Sequence, residues 1–251
     1  MDTALFDSHL HIIDPGFPLV ENNGYLPPTF TVGDYGTRVA GLNVLGGAVV
    51  SGSFQAFDQS YLRDALRRLG PRFVGVTQIP ATTSDERILE LHAMGVRAVR
   101  VNLARGGSAE AGDLDRLARR VHEVAGWHTE LYVTELAPVA EVVRGLPAVS
   151  IDHLGMRSEN LPVLLDLVDE GVMVKATGFG RVDLDPVAAM RAIVGVNPGA
   201  LMVGTDLPST RARRPFADAD LELAAEAVGA ENLEAVFHGN AEALYLGGHN
   251  T

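Results

Sequence analysis

Ala4-Leu5-Phe6-Asp7-Ser8-His9-Leu10-His11 is the stretch on which the reading of this chain turns. Side chains on an extended strand alternate between faces, so His9 and His11 project to the same side, two imidazoles at a strand's C-terminal end. Seven later segments repeat the short apolar form of this one: Gly46–Ser51, Phe73–Gln78, Arg97–Asn102, Glu130–Thr134, Val149–His153, Val172–Ala176 and Leu201–Thr205. Between them run helical patterns at Gln59–Leu69, Ser84–Met94, Asp113–Ala125, Leu161–Glu170, Pro186–Val194 and Asp218–Ala227. Strand and helix in alternation mean parallel strands joined by crossovers, and eight such units close into a TIM-type (β/α)8 barrel. With no linker or low-complexity tract, one domain over residues 1–251 is expected. Residues 14–41, broken by Pro15, Pro18, Pro27 and Pro28, read as a long loop after the first strand, open to a lid role.

Strand parity then sorts the side chains, because one face of a barrel strand looks inward and the other packs on helices. Val99 and Val101 are of the helix-facing type, which turns Arg100 and Asn102 inward. On the fifth strand Leu131 and Val133 leave Glu130, Tyr132 and Thr134 inside; on the seventh, Val174 leaves Met173 and Lys175 inside. His153 and Asp206 end the sixth and eighth strands in the same phase. His9, His11, Arg100, Tyr132, His153, Lys175 and Asp206 thus converge on the C-terminal face, where barrel enzymes place their chemistry. A lone strand histidine or aspartate is more often a satisfied core residue or a helix cap. Three imidazoles, a carboxylate and two cations at one mouth are too costly to bury together unless they serve one another or a ligand.

Composition narrows the partners. The chain has 251 residues, 47% hydrophobic and 21% charged, with a formal net charge of −12 at pH 7. An acidic surface repels nucleic-acid backbones and anionic membranes, so neither is an expected partner. Cysteine is absent, which removes thiolate nucleophiles, thiolate metal sites and disulfides; no basic, apolar signal segment opens the chain, and a cytoplasmic location is expected. Arginine supplies every basic side chain except Lys175. Arg157, Arg181, Arg211, Arg213 and Arg214 follow strand ends and would ring the mouth with guanidinium groups suited to carboxylates. There is no G-x-S-x-G elbow, H-E-x-x-H helix, phosphate-binding glycine loop or dinucleotide fingerprint, which disfavours serine hydrolases, zincins and nucleotide enzymes. His92, His122 and His249 read as surface residues, and His238-Gly239-Asn240 as a helix boundary.

Asp7-Ser8-His9-Leu10-His11, Gly95-Val96-Arg97-Ala98-Val99-Arg100-Val101-Asn102, Gly126-Trp127-His128, Asp152-His153-Leu154-Gly155, Val174-Lys175-Ala176-Thr177-Gly178, Gly204-Thr205-Asp206-Leu207-Pro208 and Gly239-Asn240-Ala241 with Leu244-Tyr245 form an ordered set. In order and spacing this set resembles the amidohydrolase-related family, and within it the branch of 2-pyrone-4,6-dicarboxylate lactonase and sugar-lactone-hydrolysing relatives. The resemblance implies a hydrolase that opens a lactone. Many members of the family hold a divalent metal with the HxH pair, a fifth-strand histidine and the eighth-strand aspartate. Here the fifth strand offers Glu130 and Tyr132, and its only histidine, His128, stands at the wrong end. Three ligands still suffice for a catalytic zinc with bound water, so His9, His11 and Asp206 are the ligands if a divalent metal such as zinc is present. The lactonase branch resembles this chain in lacking that histidine and works without metal, which implies that no cofactor is required.

Lactone hydrolysis needs a base for water, an electrophile for the carbonyl oxygen and contacts that hold the substrate. Asp206 is the expected base, with His153, His9 and His11 as the electrophilic group. Arg100, Tyr132, Lys175, Asn102, Arg157, Arg181 and Tyr25 form the expected contacts to a small anionic substrate. Two other readings stand beside this one: a metal-dependent decarboxylase or hydratase of the same superfamily, and a non-catalytic barrel that binds a small acid. Oligomeric state is not legible, because exposed and interfacial apolar residues look alike in a sequence.

Overall fold

Parallel strands cannot be joined by tight hairpins, so each strand here is followed by a crossover that packs back on the sheet. The computed structural model describes residues 3–106 and 108–247, so His249 lies outside the described residues. Strands β1 (Ala4–Leu10), β2 (Asn43–Val50), β3 (Phe73–Thr77), β4 (Val96–Asn102), β5 (His128–Tyr132), β6 (Val149–Ile151), β7 (Met173–Ala176) and β8 (Leu201–Val203) pair in chain order, all parallel. Around them lie α1 (Val32–Arg38), α2 (Ser60–Leu69), α3 (Asp85–Ala93), α4 (Leu114–Ala125), α5 (Ala140–Arg144), α6 (Leu161–Asp169), α7 (Pro186–Val196), α8 (Ala219–Val228) and α9 (Asn240–Leu246). This is the (β/α)8 barrel that the alternation of segments requires.

Two apolar layers hold it. Between strands and helices, Val99, Val101, Leu131 and Val174 pack with Leu117, Val121, Leu164 and Leu167. Inside the barrel, Phe6, Val50, Val76, Ala98 and Met202 form a second layer, closed from below by Tyr245 of α9, whose ring stacks on Phe6 at 5.7 Å. A buried side chain of this size stabilises by about 1.5–3 kcal/mol, so α9 acts as a plug. Hence the apolar lower half of the barrel supports a polar upper half.

The seam between β8 and β1 is made just beyond β8. Asp206 N donates to His9 O at 2.7 Å, and His11 N donates to Leu207 O at 2.8 Å. Gly204 allows this approach: a Cβ there would stand 2.7 Å from His9 N and 2.9 Å from Ser8 N. Strands β6 and β8 end at Ile151 and Val203, sooner than the apolar pattern indicates, because the chain then turns left-handed at His153 (φ 53°) and Asp206 (φ 57°). One regular element was hidden in the proline-rich loop. Thr31 and Asp34 cap each other's backbone N–H groups at the start of α1, and all four prolines precede it, leaving the helix free to wind.

Candidate active site

His9 on β1, His11 just past it, and Asp206 beyond β8 meet at the top of the barrel, where they are 0%, 3% and 0% exposed. Asp206 Oδ1 lies 3.9 Å from His9 Nε2 and 3.7 Å from His11 Nε2. The His153 ring lies 4.9 Å from that of His9 and edge-on to Tyr132 at 5.3 Å. Asp206 and His153 reach the cluster from left-handed backbone, a conformation that non-glycine residues adopt only when their surroundings enforce it, and which concentrates at working sites.

Neighbours fix where the protons sit. Burial pulls the pKa of His9, His11 and His153 down, the latter two well below their usual range, so the rings are neutral at pH 7. His11 Nδ1 contacts the Val50 carbonyl at 2.7 Å. A carbonyl only accepts, so Nδ1 carries the proton and Nε2 presents a lone pair. His9 Nδ1 lies 3.4 Å from Lys175 Nζ, which can only donate, and 3.4 Å from Asp152 Oδ1, which can only accept; with the ammonium as its partner Nδ1 accepts and the proton falls on Nε2. The pair therefore divides into one donor, His9, and one acceptor, His11. His9 Nε2 and Asp206 Oδ1 are both buried without a hydrogen-bond partner. A water between the three would satisfy all of them, accepting from His9 and donating to His11 and Asp206.

The inner cations are already paired. Arg100 donates to Asp152 Oδ2 at 2.8 and 3.3 Å and to Ser51 O at 2.9 Å. Burial works to raise the Asp152 carboxyl, but the Arg100 and Lys175 cations beside it hold it well below the usual carboxylate range. Arg181 donates to Asp206 Oδ2 at 2.9 and 2.5 Å, which keeps Oδ1 aimed at the histidines. Lys175 lies beneath His9 at 0% exposure, outside the mouth, and donates to Glu130 Oε2 at 2.6 Å. Burial alone would push the Glu130 carboxyl up; Lys175 and His128 reverse that and bring it to about 2.

Above these groups opens a recess lined by residues that include His11, Arg100, Asn102, Tyr132, Arg181 and Arg211. Tyr25 stacks under Arg211, 4.2 Å from ring centroid to guanidinium carbon, and so holds the rim. Arg157 is exposed and outside this lining, while Arg213 and Arg214 pair with Asp183 and Asp220. Arg105 joins the lining although strand-end reasoning passed over it; it stands three residues past β4, the same signal that marked Arg157. Arg105 and Arg211 have no carboxylate partner among the described residues, and Arg105 Nε is buried without any hydrogen bond. Burial, then the neighbouring Arg105 charge, lowers the pKa of Arg211. Two adjacent uncompensated guanidinium groups form a place for an anion.

Asp7, the first residue of the D-x-H-x-H pattern, points away from this recess. It accepts from Thr205 N (2.7 Å), Thr205 Oγ1 (2.7 Å) and Tyr35 OH (3.0 Å), tying β1, the turn after β8 and α1 together. His128 sits at the lower end of β5 against Tyr245, as its position before the strand's apolar run indicates.

His9, His11 and Asp206 are close enough to share a cation, since their ligand atoms all lie within 4.8 Å of one another. As hydrogen-bonded here, however, they do not fit one. His9 Nε2 carries a proton, Arg181 occupies Asp206 Oδ2, and β5 adds no donor because Glu130 is taken up by Lys175. Two lone pairs remain, from His11 Nε2 and Asp206 Oδ1, short of the three protein ligands of an open zinc site.

The profile of the family described as amidohydrolase matches residues 6–246. A 2-pyrone-4,6-dicarboxylate hydrolase from Comamonas testosteroni is 27% identical over 156 residues, 59% of this chain and 51% of that protein, so the match spans about half of that relative. A solved structure from Acinetobacter baumannii, described as a probable 2-pyrone-4,6-dicarboxylic acid hydrolase with citric acid bound, superposes with a TM-score of 0.81 at 21% identity, covering 98% of this chain and 99% of that one. Another from Pseudomonas putida, provisionally assigned as a 2-pyrone-4,6-dicarboxylic acid hydrolase, gives a TM-score of 0.80 at 26% identity and 98% coverage of both chains. No helix among the described residues is long and apolar enough to cross a membrane.

Proposed function

The chain belongs to the amidohydrolase family, and from that premise we propose that it is a hydrolase opening a lactone of a small carboxylated molecule, with Asp206 as the base and no metal cofactor. One observation carries this reading: the unpartnered Asp206 Oδ1, buried 3.9 Å from His9 Nε2 and 3.7 Å from His11 Nε2, at the floor of an arginine-lined recess. A water held there has both protons engaged and a lone pair directed at a carbonyl in the recess. As it attacks, Asp206 Oδ1 takes its proton, while Arg181 keeps the carboxylate oriented through Oδ2. Tyr132 and His153 border the same floor and supply the contacts for the developing oxyanion. Asp206 then returns the proton to the departing ring oxygen, leaving an acid and an alcohol.

The substrate's carboxylate belongs at the rim, on Arg105 and Arg211, because Arg100, Arg181 and Lys175 are already neutralised by Asp152, Asp206 and Glu130. The relatives named above are described as acting on a pyrone dicarboxylate, and one holds citric acid; both agree with an acidic ligand here. A metal-dependent decarboxylase or hydratase is disfavoured by the donor set. A silent binding barrel is disfavoured because binding alone gives no reason for an uncompensated carboxylate oxygen beside two oriented imidazoles. On its acidic, cysteine-free composition we place the enzyme in the cytoplasm, with no nucleic acid or membrane as partner. The test is a panel of neutral and carboxylated lactones followed by proton release. Carboxylated lactones should turn over best; a neutral lactone hydrolysed much faster than every carboxylated one, or no turnover of any, refutes the reading.

A further inference from the structure

Lys175, the chain's one lysine, is sealed below His9, a position with no access to substrate. Its Nζ donates to Glu130 Oε2 at 2.6 Å and to His9 Nδ1 at 3.4 Å, and lies 3.8 Å from Asp152 Oδ1. Glu130 is braced in turn by the Tyr245 hydroxyl and by His128 Nε2 at 3.4 Å. An ammonium group has three protons and no lone pair, so an imidazole nitrogen bonded to it must accept.

Asp152 Oδ1 is the competitor. It lies 3.4 Å from the same His9 Nδ1 and has no hydrogen-bond partner of its own. Without Lys175, an Nδ1–H turned to this carboxylate is the better tautomer, and Nε2 then offers its lone pair toward Asp206 Oδ1 and His11 Nε2. A carboxylate-backed histidine, a second histidine and an aspartate make an open three-ligand zinc site. We propose that Lys175, braced by Glu130, is a positioning residue that locks His9 as an Nε2–H donor and thereby keeps a divalent cation out of the His9, His11 and Asp206 triangle. This rests on the reading of that triangle as the water-holding site. It adds the reason why a cluster with the composition of a metal site handles water instead.

The test compares wild type with the double variant Glu130→Gln, Lys175→Met, which removes the ammonium and its counter-ion together and leaves the net charge unchanged. Zinc affinity is measured by competition with a chromophoric chelator, and the His9 proton is located by nitrogen–proton correlation spectroscopy, its signal identified by loss in His9→Gln. Wild type should show the proton on Nε2 and bind zinc at least about tenfold more weakly than the double variant, since a missing ligand or second-shell partner costs on the order of 10–100-fold. Adding His11→Ala to the double variant should abolish the gain. A wild-type proton on Nδ1, equal zinc affinity in the two proteins, or a gain that survives His11→Ala overturns the proposal. The wild-type spectrum decides the matter even if the double variant fails to fold. Neither readout uses a substrate, so a failed lactone panel leaves this result standing, and the reverse.

Discussion

Asp206→Asn separates the base from the fold more cleanly than any other single change at this site. The carboxylate it removes is 0% exposed and receives two guanidinium N–H groups of Arg181 on Oδ2. Asparagine must keep its carbonyl oxygen on Arg181, because the opposite orientation sets an NH2 group against a cation. Its NH2 then faces the water between His9 and His11, a donor where a proton acceptor is needed. A positioned general base contributes on the order of 10²–10⁴-fold, and since the new group also misorients the water, kcat should fall by about 10³–10⁴. Stability falls as well. Breaking a buried ion pair from one side costs about 3–5 kcal/mol, and the retained hydrogen bond to a charged group returns about 1.5–3 kcal/mol. A net loss of about 2 kcal/mol should appear as a Tm lower by about 4–8 °C in a chain of this size. Initial rates on the best lactone of the panel and thermal melts measure the two effects. Adding Arg181→Met should recover part of the stability and none of the turnover. A single variant within tenfold of wild-type kcat, or a double variant that regains turnover, refutes the assignment of the base.

Three further outcomes follow from the same geometry. Burial raises the Asp7 carboxyl from its ordinary 3.8 to about 6 against the hydrogen bonds from Thr205, Tyr35 and His9. A folded pKa above the unfolded one gives stability that is complete below 3.8 and lost as pH rises through 6. Two pH units correspond to about 3 kcal/mol, so Asp7→Asn should gain on wild type by roughly that much between about pH 4 and about pH 7.5 in urea melts; a flat difference refutes it. Arg105→Ala and Arg211→Ala should each raise KM for a carboxylated lactone by about 10–100-fold with kcat nearly unchanged, as for lost uniform binding. An equal rise for a neutral lactone would show that the rim does not read charge. Gly204→Ala drives a Cβ to 2.7 Å from His9 N and should cost about 1–3 kcal/mol by opening the seam, with activity lost alongside; an unchanged melt refutes the seam's role.

The placement of the inner charges explains how the site buries so many ionisable groups together. Arg100 with Asp152, Lys175 with Glu130 and Arg181 with Asp206 are three buried pairs with 0–4% exposure, apart from 8% at the Arg181 side chain. Each cation within reach of the histidines has a fixed counter-charge, burial keeps the rings neutral, and their protons are set by hydrogen bonds. At the rim, Arg105 and Arg211 have no carboxylate partner among the described residues, and there a ligand can supply one.

By itself the sequence determined the barrel and the floor of its site. Eight apolar runs of strand length alternating with amphipathic stretches admit one parallel closed sheet, and the two-residue period of a strand fixes which side chains look inward, as Arg100, Asn102 and Glu130 do. Those signals are local, and local physics sets them. The helix α1 was legible too, in the Thr31 and Asp34 capping pair, but four prolines upstream masked it. What the tertiary structure decided was pairing. Nothing in the spacing of Lys175, Glu130, Asp152 and His9 says that they meet, since they come from four different strands or turns and are joined only by closure of the barrel. Closure also turned Asp7 to the seam, sent Lys175 beneath the site, left Arg105 and Arg211 at the rim without a carboxylate partner among the described residues, and placed a donor against one nitrogen of His9 and a carbonyl against one of His11. In the proposed reading the two histidines of one short motif thereby take opposite tautomers. That difference carries the proposed chemistry, and it depends on contacts between residues up to 166 positions apart.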